Sequence, residues 1–167
     1  MFVSFDILPD TSRIWIYQSS RRFTEAEQAR ILEELTAFCE SWAAHGAPIK
    51  SSAKIFYHQF IVLAADESFT AASGCSIDTT LRLFQEMESA LGCRLMDRTQ
   101  IAFMENDQVK LYPQKALKEL FASGILNKSS LAFNNVVATR GELKEQWLVP
   151  VEKSWISRFL PKNVVST

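Results

Sequence analysis

The strongest β-strand signal in the chain is the run Lys54-Ile55-Phe56-Tyr57-His58-Gln59-Phe60-Ile61-Val62-Leu63-Ala64-Ala65. Its second half is a continuous apolar block, which is typical of a central strand that is buried on both faces. A tight turn at His58-Gln59 would divide the run into a hairpin, although no Gly, Pro or Asn is present there to favour one. One long strand and a short hairpin therefore both stay open.

Two further elements precede this run. The segment from Arg13 to Gln18 is rich in β-branched and aromatic residues, so it predicts a strand. Thr24 and Glu27 then match the capping-box pattern, in which each side chain bonds the other residue's backbone N–H at the start of a helix. Apolar residues at helical spacing predict that this helix runs from about Glu25 to Ala44.

The second half of the chain continues the alternation of strands and helices. Ser76 is the predicted N-cap of an amphipathic helix that ends at Gly92. Two strands, Gln100 to Met104 and Gln108 to Leu111, follow with a short polar turn between them. The segment from Leu131 to Val137 is predicted to be another strand.

This order of elements favours an α+β fold, with helices packed on one face of a mostly antiparallel sheet. If the run from Lys54 to Ala65 is a hairpin, the first hundred residues follow the split βαβ pattern of a ferredoxin-like fold, and the rest forms C-terminal additions. No internal repeat and no long linker interrupts the chain. Residues 1–167 are therefore predicted to form a single globular domain.

Composition limits the classes of function. The 18 Lys and Arg residues nearly balance the 19 Asp and Glu residues, which counts against nucleic acid or an anionic membrane as the partner. No window approaches the roughly 20 apolar residues of a membrane span, and no secretory leader pattern is present. The three cysteines form no CxxC pair, so we expect neither a disulfide framework nor a thiolate metal site, and a reducing cytoplasm is the expected location.

The stretch with the most chemistry is Ser73-Gly74-Cys75-Ser76-Ile77-Asp78, called the SGCSID turn below, at a predicted strand-to-helix junction. Cys75 precedes the predicted N-cap, where the positive end of the helix dipole favours a thiolate nucleophile. Its base would be His45 or His58, which only the fold could bring near it. The alternative is that Cys75 is a small residue that fits a crowded turn.

Two other kinds of site are possible at the same turn. The backbone N–H groups of Ser73 to Ser76 would form a nest for a phosphate or carboxylate, with Arg21-Arg22 and Arg98 as candidate anion partners. Alternatively, Asp66, Glu67 and Asp78 would hold a hard cation or act as acid and base. In the structural alternative, Asp78 stabilises the first turn of the helix and the other two carboxylates solubilise a strand end.

Several motifs together resemble an uncharacterised family of small bacterial proteins whose members are often labelled "ABC transporter ATPase". They are Trp15-Ile16-Tyr17-Gln18, Trp42-Ala43-Ala44-His45-Gly46, the SGCSID turn, Asp97-Arg98, Phe133-Asn134-Asn135 and Ser154-Trp155-Ile156-Ser157-Arg158-Phe159-Leu160. The resemblance spans nearly the whole chain and brings no established activity with it. The five glycines stand too far apart for a Walker loop, so no residue is assigned to ATP binding or hydrolysis.

Together these observations predict a module that binds a small ligand or a protein partner at a pocket around the SGCSID turn. Its expected ligand-binding residues are Ser73, Gly74, Ser76, Asp78 and Asp66. The alternative is an enzyme with Cys75 as nucleophile and His45 as base, or with the three carboxylates as a metal or acid-base site. The sequence identifies no cofactor, no particular ligand and no oligomeric state.

Overall fold

The computed structural model describes residues 1–162, and its internal contacts divide the chain into two compact units. The first unit comprises Met1–Asp97 and Val137–Lys144, and the second comprises Arg98–Val136 and the residues from Glu145 onward. Both contain antiparallel strands and helices, which confirms the predicted α+β class. That the whole chain is a single globular domain stays a prediction.

The first unit is built on a three-stranded antiparallel sheet. Its elements are β1 (Arg13–Gln18), α1 (Glu25–Ser41), the two-residue strands β2 (Ala43–Ala44) and β3 (Ala47–Pro48), β4 (Lys50–Phe56), β5 (Phe60–Asp66) and α2 (Gly74–Leu91). The sheet order is β1-β5-β4, so β5 is the central strand. All seven β5 residues are buried, as the apolar block predicts. The run from Lys54 to Ala65 forms a hairpin and not one long strand, because β4 pairs antiparallel with β5.

The β4–β5 turn uses residues that rarely make such turns. Tyr57 and His58 have positive φ angles of 51° and 54°, which are uncommon for residues other than glycine. Backbone bonds from distant residues hold the turn, since Phe23 N–H donates to the His58 carbonyl at 2.8 Å and Ser19 N–H donates to the Gln59 carbonyl at 2.9 Å. Tertiary structure therefore supplies what the local sequence lacks.

Both long helices of the first unit pack on the same face of the sheet. Leu35 of α1, Phe84 of α2 and Ile61 of β5 belong to one buried cluster, which confirms the predicted helix placement. The Thr24–Glu27 capping box begins α1 as predicted. The predicted helix end near Ala44 is wrong, because Trp42 is already extended and the β2–β3 hairpin follows it.

The connection of β1 through α1 to β4, with β5 between the two strands, is a split βαβ unit. A ferredoxin-like sheet needs a fourth full strand beside β1. Among residues 1–162, the other side of β1 carries a single antiparallel bridge between Arg13 and Thr139. The ferredoxin-like arrangement is therefore not confirmed.

The second unit has a four-stranded antiparallel sheet with the order β7-β6-β8-β9. Its strands and helix are β6 (Gln100–Glu105), β7 (Gln108–Pro113), α3 (Leu117–Ala122), β8 (Leu131–Phe133) and β9 (Leu148–Pro150). A further helix, α4 (Arg140–Gln146), lies between β8 and β9 in the chain, and its residues as far as Lys144 belong to the first unit. The predicted β6–β7 hairpin is confirmed. The prediction of a strand as far as Val137 is wrong, because β8 ends at Phe133 and the Asn135 N–H donates to the Phe133 carbonyl in a turn.

Candidate functional site

The start of α2 differs from the prediction in its capping residue. The N-cap is Ser73, whose hydroxyl accepts the Ser76 N–H at 3.3 Å, while the Ser76 hydroxyl accepts the Ser73 N–H at 2.7 Å. The prediction that Ser76 is the N-cap is therefore wrong. A serine three residues after the cap performs here the reciprocal role that Glu or Gln plays in the usual capping box, and the sequence pattern did not reveal it.

This cap changes what the SGCSID turn offers to a ligand. The Ser73 and Ser76 hydroxyls are committed to the helix start, and the Ser76 carbonyl accepts the indole N–H of Trp42 at 3.0 Å. Gly74 and Cys75 are exposed. Asp78 is also exposed, but it is the fifth residue of α2, so its predicted place in the first turn is wrong.

Within the described residues, no hydrogen bond joins Cys75 to a histidine. His58 lies in the β4–β5 turn and bonds Gln28 at 3.2 Å, and β5 then runs roughly 20 Å from there to its other end, near the SGCSID turn. His45 is exposed in the β2–β3 turn. Cys39 is buried, and burial raises the pKa of its thiol.

The carboxylates of Asp66 and Glu67 bind different partners within the protein. Asp66 is buried, and hydrogen bonds from the hydroxyl and N–H of Ser68 hold its pKa below the usual range. Glu67 accepts the Ala72 N–H at 2.9 Å and pairs with Arg13 at 3.6 Å. These groups order the loop that leads into α2. In the described part of the chain, no group of three or more His, Cys, Asp or Glu side chains is placed to hold a metal ion.

A different site opens in the second unit as a cleft of about 840 Å³. The residues that line it come from the ends of β6 and β7, from the turns of helix that follow, and from a short 3₁₀ helix at Trp155–Phe159. They are Arg98, Thr99, Gln100, Pro113, Gln114, Lys115, Lys118 and Phe159. We call this the basic cleft.

The β6–β7 hairpin assembles one wall of the basic cleft. Gln100 pairs with Pro113, and the Gln114 N–H donates to the Thr99 carbonyl at 2.8 Å, which extends the pairing one step past the strands. The chain then enters a 3₁₀ turn and α3, where Leu117 is fully buried. Leu117 points into the core of the second unit, whereas its neighbours Lys115 and Lys118 are exposed.

The basic cleft carries positive charge, and the residues that the structure describes place no counterion in its lining. Arg98, Lys115 and Lys118 are exposed, and none of them makes an ion pair or a side-chain hydrogen bond within residues 1–162. No Asp or Glu is among the lining residues. Sequence reasoning singled out Arg98 as an anion partner but missed the two lysines, because nothing before folding indicates that they share its surroundings.

Phe159 supplies the aromatic part of the lining. Its ring is half-buried and meets the Trp155 ring edge-on, with 5.9 Å between the centroids. The guanidinium carbon of Arg158 lies 5.1 Å from the Phe159 centroid and 5.4 Å from that of Trp155. These two neighbours hold the ring in a defined orientation.

Comparison with known protein families, with curated proteins and with solved structures finds no match to this chain. The resemblance carried by the SGCSID turn and its companion motifs therefore stays a prediction. None of the helices in residues 1–162 is both long and apolar enough to cross a membrane.

Proposed function

We propose that this protein is a binding module whose ligand is a small anionic molecule held in the basic cleft. The observation that carries the proposal is that three cations, Arg98, Lys115 and Lys118, line one cleft, make no ion pair within residues 1–162 and have no Asp or Glu among the described lining residues. The volume of about 840 Å³ lies within the usual range of small-molecule sites, roughly 300–1,000 Å³.

The chemistry of these cations favours an oxyanion ligand. The guanidinium group of Arg98 presents a planar fork of donors that matches a phosphate or carboxylate, and the two ammonium groups act as movable point charges. Because all three side chains are exposed, dissolved salt screens them. We therefore expect binding to weaken as ionic strength rises.

Calorimetric titration with inorganic pyrophosphate at low salt tests the proposal. We expect the double variant Lys115→Gln/Lys118→Gln to weaken binding at least about tenfold, since charge-assisted hydrogen bonds are lost. Lys128→Gln is the matched control, because Lys128 is an exposed lysine of the same unit outside the cleft. Equal affinities for the double variant and the wild type, or no saturable binding up to about 10 mM, would contradict the proposal.

The SGCSID turn is a second candidate, as a contact site for a small ligand or a protein partner. It is supported by the exposure of Gly74 and Cys75 and by Phe69, which is 91% exposed in the loop before α2. The enzyme alternative uses Cys75 as the nucleophile and His45 as its base.

Thiol alkylation tests this second candidate. We expect Cys75 to react much faster than the buried Cys39 and Cys93. If its rate also falls in the variant His45→Gln but not in His58→Gln, a catalytic pair is supported. If Cys75 reacts no faster than Cys39, the nucleophile hypothesis is wrong.

We also propose a cytoplasmic location, and the three free thiols support it. The proposal includes no cofactor.

A further inference from the structure

The charge of the basic cleft limits the kind of anion that it fits. Arg98, Lys115 and Lys118 together bring three positive charges, whereas a monocarboxylate ligand would neutralise one. A phosphomonoester carries a charge of about −1.5 to −2 at pH 7 and offers three strong acceptor oxygens. Its terminal oxygens are acceptors of the kind that the guanidinium fork of Arg98 and the two ammonium groups bind.

The volume of the cleft leaves room for a part of the ligand other than its anionic group. One water molecule accounts for about 30 Å³ of liquid. A phosphate group, with its five heavy atoms, would therefore leave most of the 840 Å³ empty. The rest of the lining is therefore open to contact with a second part of the ligand.

Phe159 indicates which chemical group the second part of the ligand contains. It is the aromatic residue of the lining, and Trp155 and Arg158 already hold its ring. An oriented ring loses little side-chain freedom when a ligand contacts it, so the contact is inexpensive in entropy. Offset stacking of a second ring adds roughly two- to tenfold in affinity beyond that from buried area alone.

We propose that the ligand of the basic cleft is an aromatic phosphomonoester, with its phosphate on Arg98, Lys115 and Lys118 and its ring against Phe159. This inference rests on the proposed function and makes it specific. It assigns anion recognition to the three cations and recognition of the ligand body to Phe159.

Calorimetric titration with three probes separates these two roles. The probes are phenyl phosphate, cyclohexyl phosphate and inorganic phosphate, which share the anionic group and differ in the body. For the wild type we expect phenyl phosphate to bind about two- to tenfold more tightly than cyclohexyl phosphate. Phe159→Leu should abolish this preference.

Two variants keep the test decisive. Phe159→Tyr retains the ring and should retain the preference for phenyl phosphate. Phe69→Leu, which alters an exposed aromatic side chain of the first unit, should change nothing. If Phe159→Leu does not fold, the wild type and Phe159→Tyr still report the preference.

The two proposals fail in different ways. If phenyl and cyclohexyl phosphate bind the wild type equally, the aromatic inference is overturned. Anion binding would nevertheless stand if Lys115→Gln/Lys118→Gln weakens binding of inorganic phosphate. If that double variant leaves all three affinities unchanged, the proposed function itself is wrong.

Discussion

At Gly141, a side chain as small as that of alanine would press against the backbone of Asp10. A Cβ atom there would lie 3.2 Å from the Asp10 Cβ and 3.3 Å from the Asp10 carbonyl oxygen, which accepts the Gly141 N–H at 2.9 Å. Asp10 also binds the nearly buried guanidinium of Arg140 at 2.7 Å. The absence of a side chain therefore lets the start of α4 dock on the N-terminal segment.

We expect Gly141→Ala to lower the free energy of unfolding by about 1 kcal/mol, although alanine is favoured over glycine inside helices by a similar amount. Gly74→Ala is the matched control, because nothing lies within 4 Å of the Cβ that it would add at the first residue of α2. That change should be neutral or stabilising. Urea unfolding followed by circular dichroism measures both, and a Gly141→Ala protein as stable as the wild type would refute the steric argument.

The N-cap of α2 gives a second prediction for a single residue. Ser73→Ala removes the acceptor of the Ser76 N–H, so it should cost about 1 kcal/mol of stability. Ser73→Asp keeps an acceptor and adds a negative charge at the positive end of the helix, so it should preserve stability. Thermal unfolding of the two variants decides the matter. Equal losses in both would show that Ser73 is not the cap.

At the scale of elements, Arg21 joins the start of α1 to the end of α2. Its guanidinium binds both Glu27 carboxylate oxygens, at 2.9 and 2.8 Å, and the Leu91 carbonyl at 2.6 Å. The hydrogen bonds from Arg21, and then the one from the Thr24 N–H, lower the pKa of Glu27 from 4.5 to about 2. The carboxylate is therefore more acidic in the folded protein than in the unfolded chain.

This difference predicts how stability depends on pH. Because the folded-state pKa is depressed, the contribution of Glu27 is fully present above about pH 5 and is lost as the pH falls from there toward 2. We expect Glu27→Gln to flatten the decline of stability across that window, measured as urea midpoints at several pH values. Glu33→Gln, at an exposed position of α1, should keep the wild-type slope. An unchanged slope in Glu27→Gln would contradict the assignment.

The elements also show how far sequence reasoning reaches. The central strand β5, the capping box of α1 and the β6–β7 hairpin follow from local patterns of apolar residues, caps and polar turns. The turn at Tyr57-His58 does not, since bonds from Phe23 and Ser19 hold it. The sequence pattern predicts the cap of α2 three residues too late, because either Ser73 or Ser76 can act as an N-cap.

The candidate site was less predictable than the fold. The SGCSID turn concentrates reactive residue types within six positions, yet its hydroxyls serve the helix start. The basic cleft draws its cations from separate segments, and the pairing of β6 with β7 brings those segments together. The spacing of residues within one short segment does not reveal a site that is assembled from two segments. Only Arg98 could be singled out in advance.

For the whole molecule, the net charge does not show how charge is distributed over the surface. A formal net charge of −1 argues against a strongly anionic partner, and that argument holds for the surface taken as a whole. The basic cleft nevertheless gathers three cations that form no ion pair within the described part of the chain. A small anion responds to the local potential, so a nearly neutral protein can still bind one selectively.

We propose that the basic cleft, and not the SGCSID turn, holds the anionic ligand. Amide chemical shifts recorded by NMR during a titration with inorganic pyrophosphate distinguish the two places, because they report on both in one experiment. We predict large saturable shifts at residues 98–100 and 114–118 and small ones at residues 73–76. Saturable shifts centred on residues 73–76, with residues 98–100 and 114–118 unmoved, would contradict the claim.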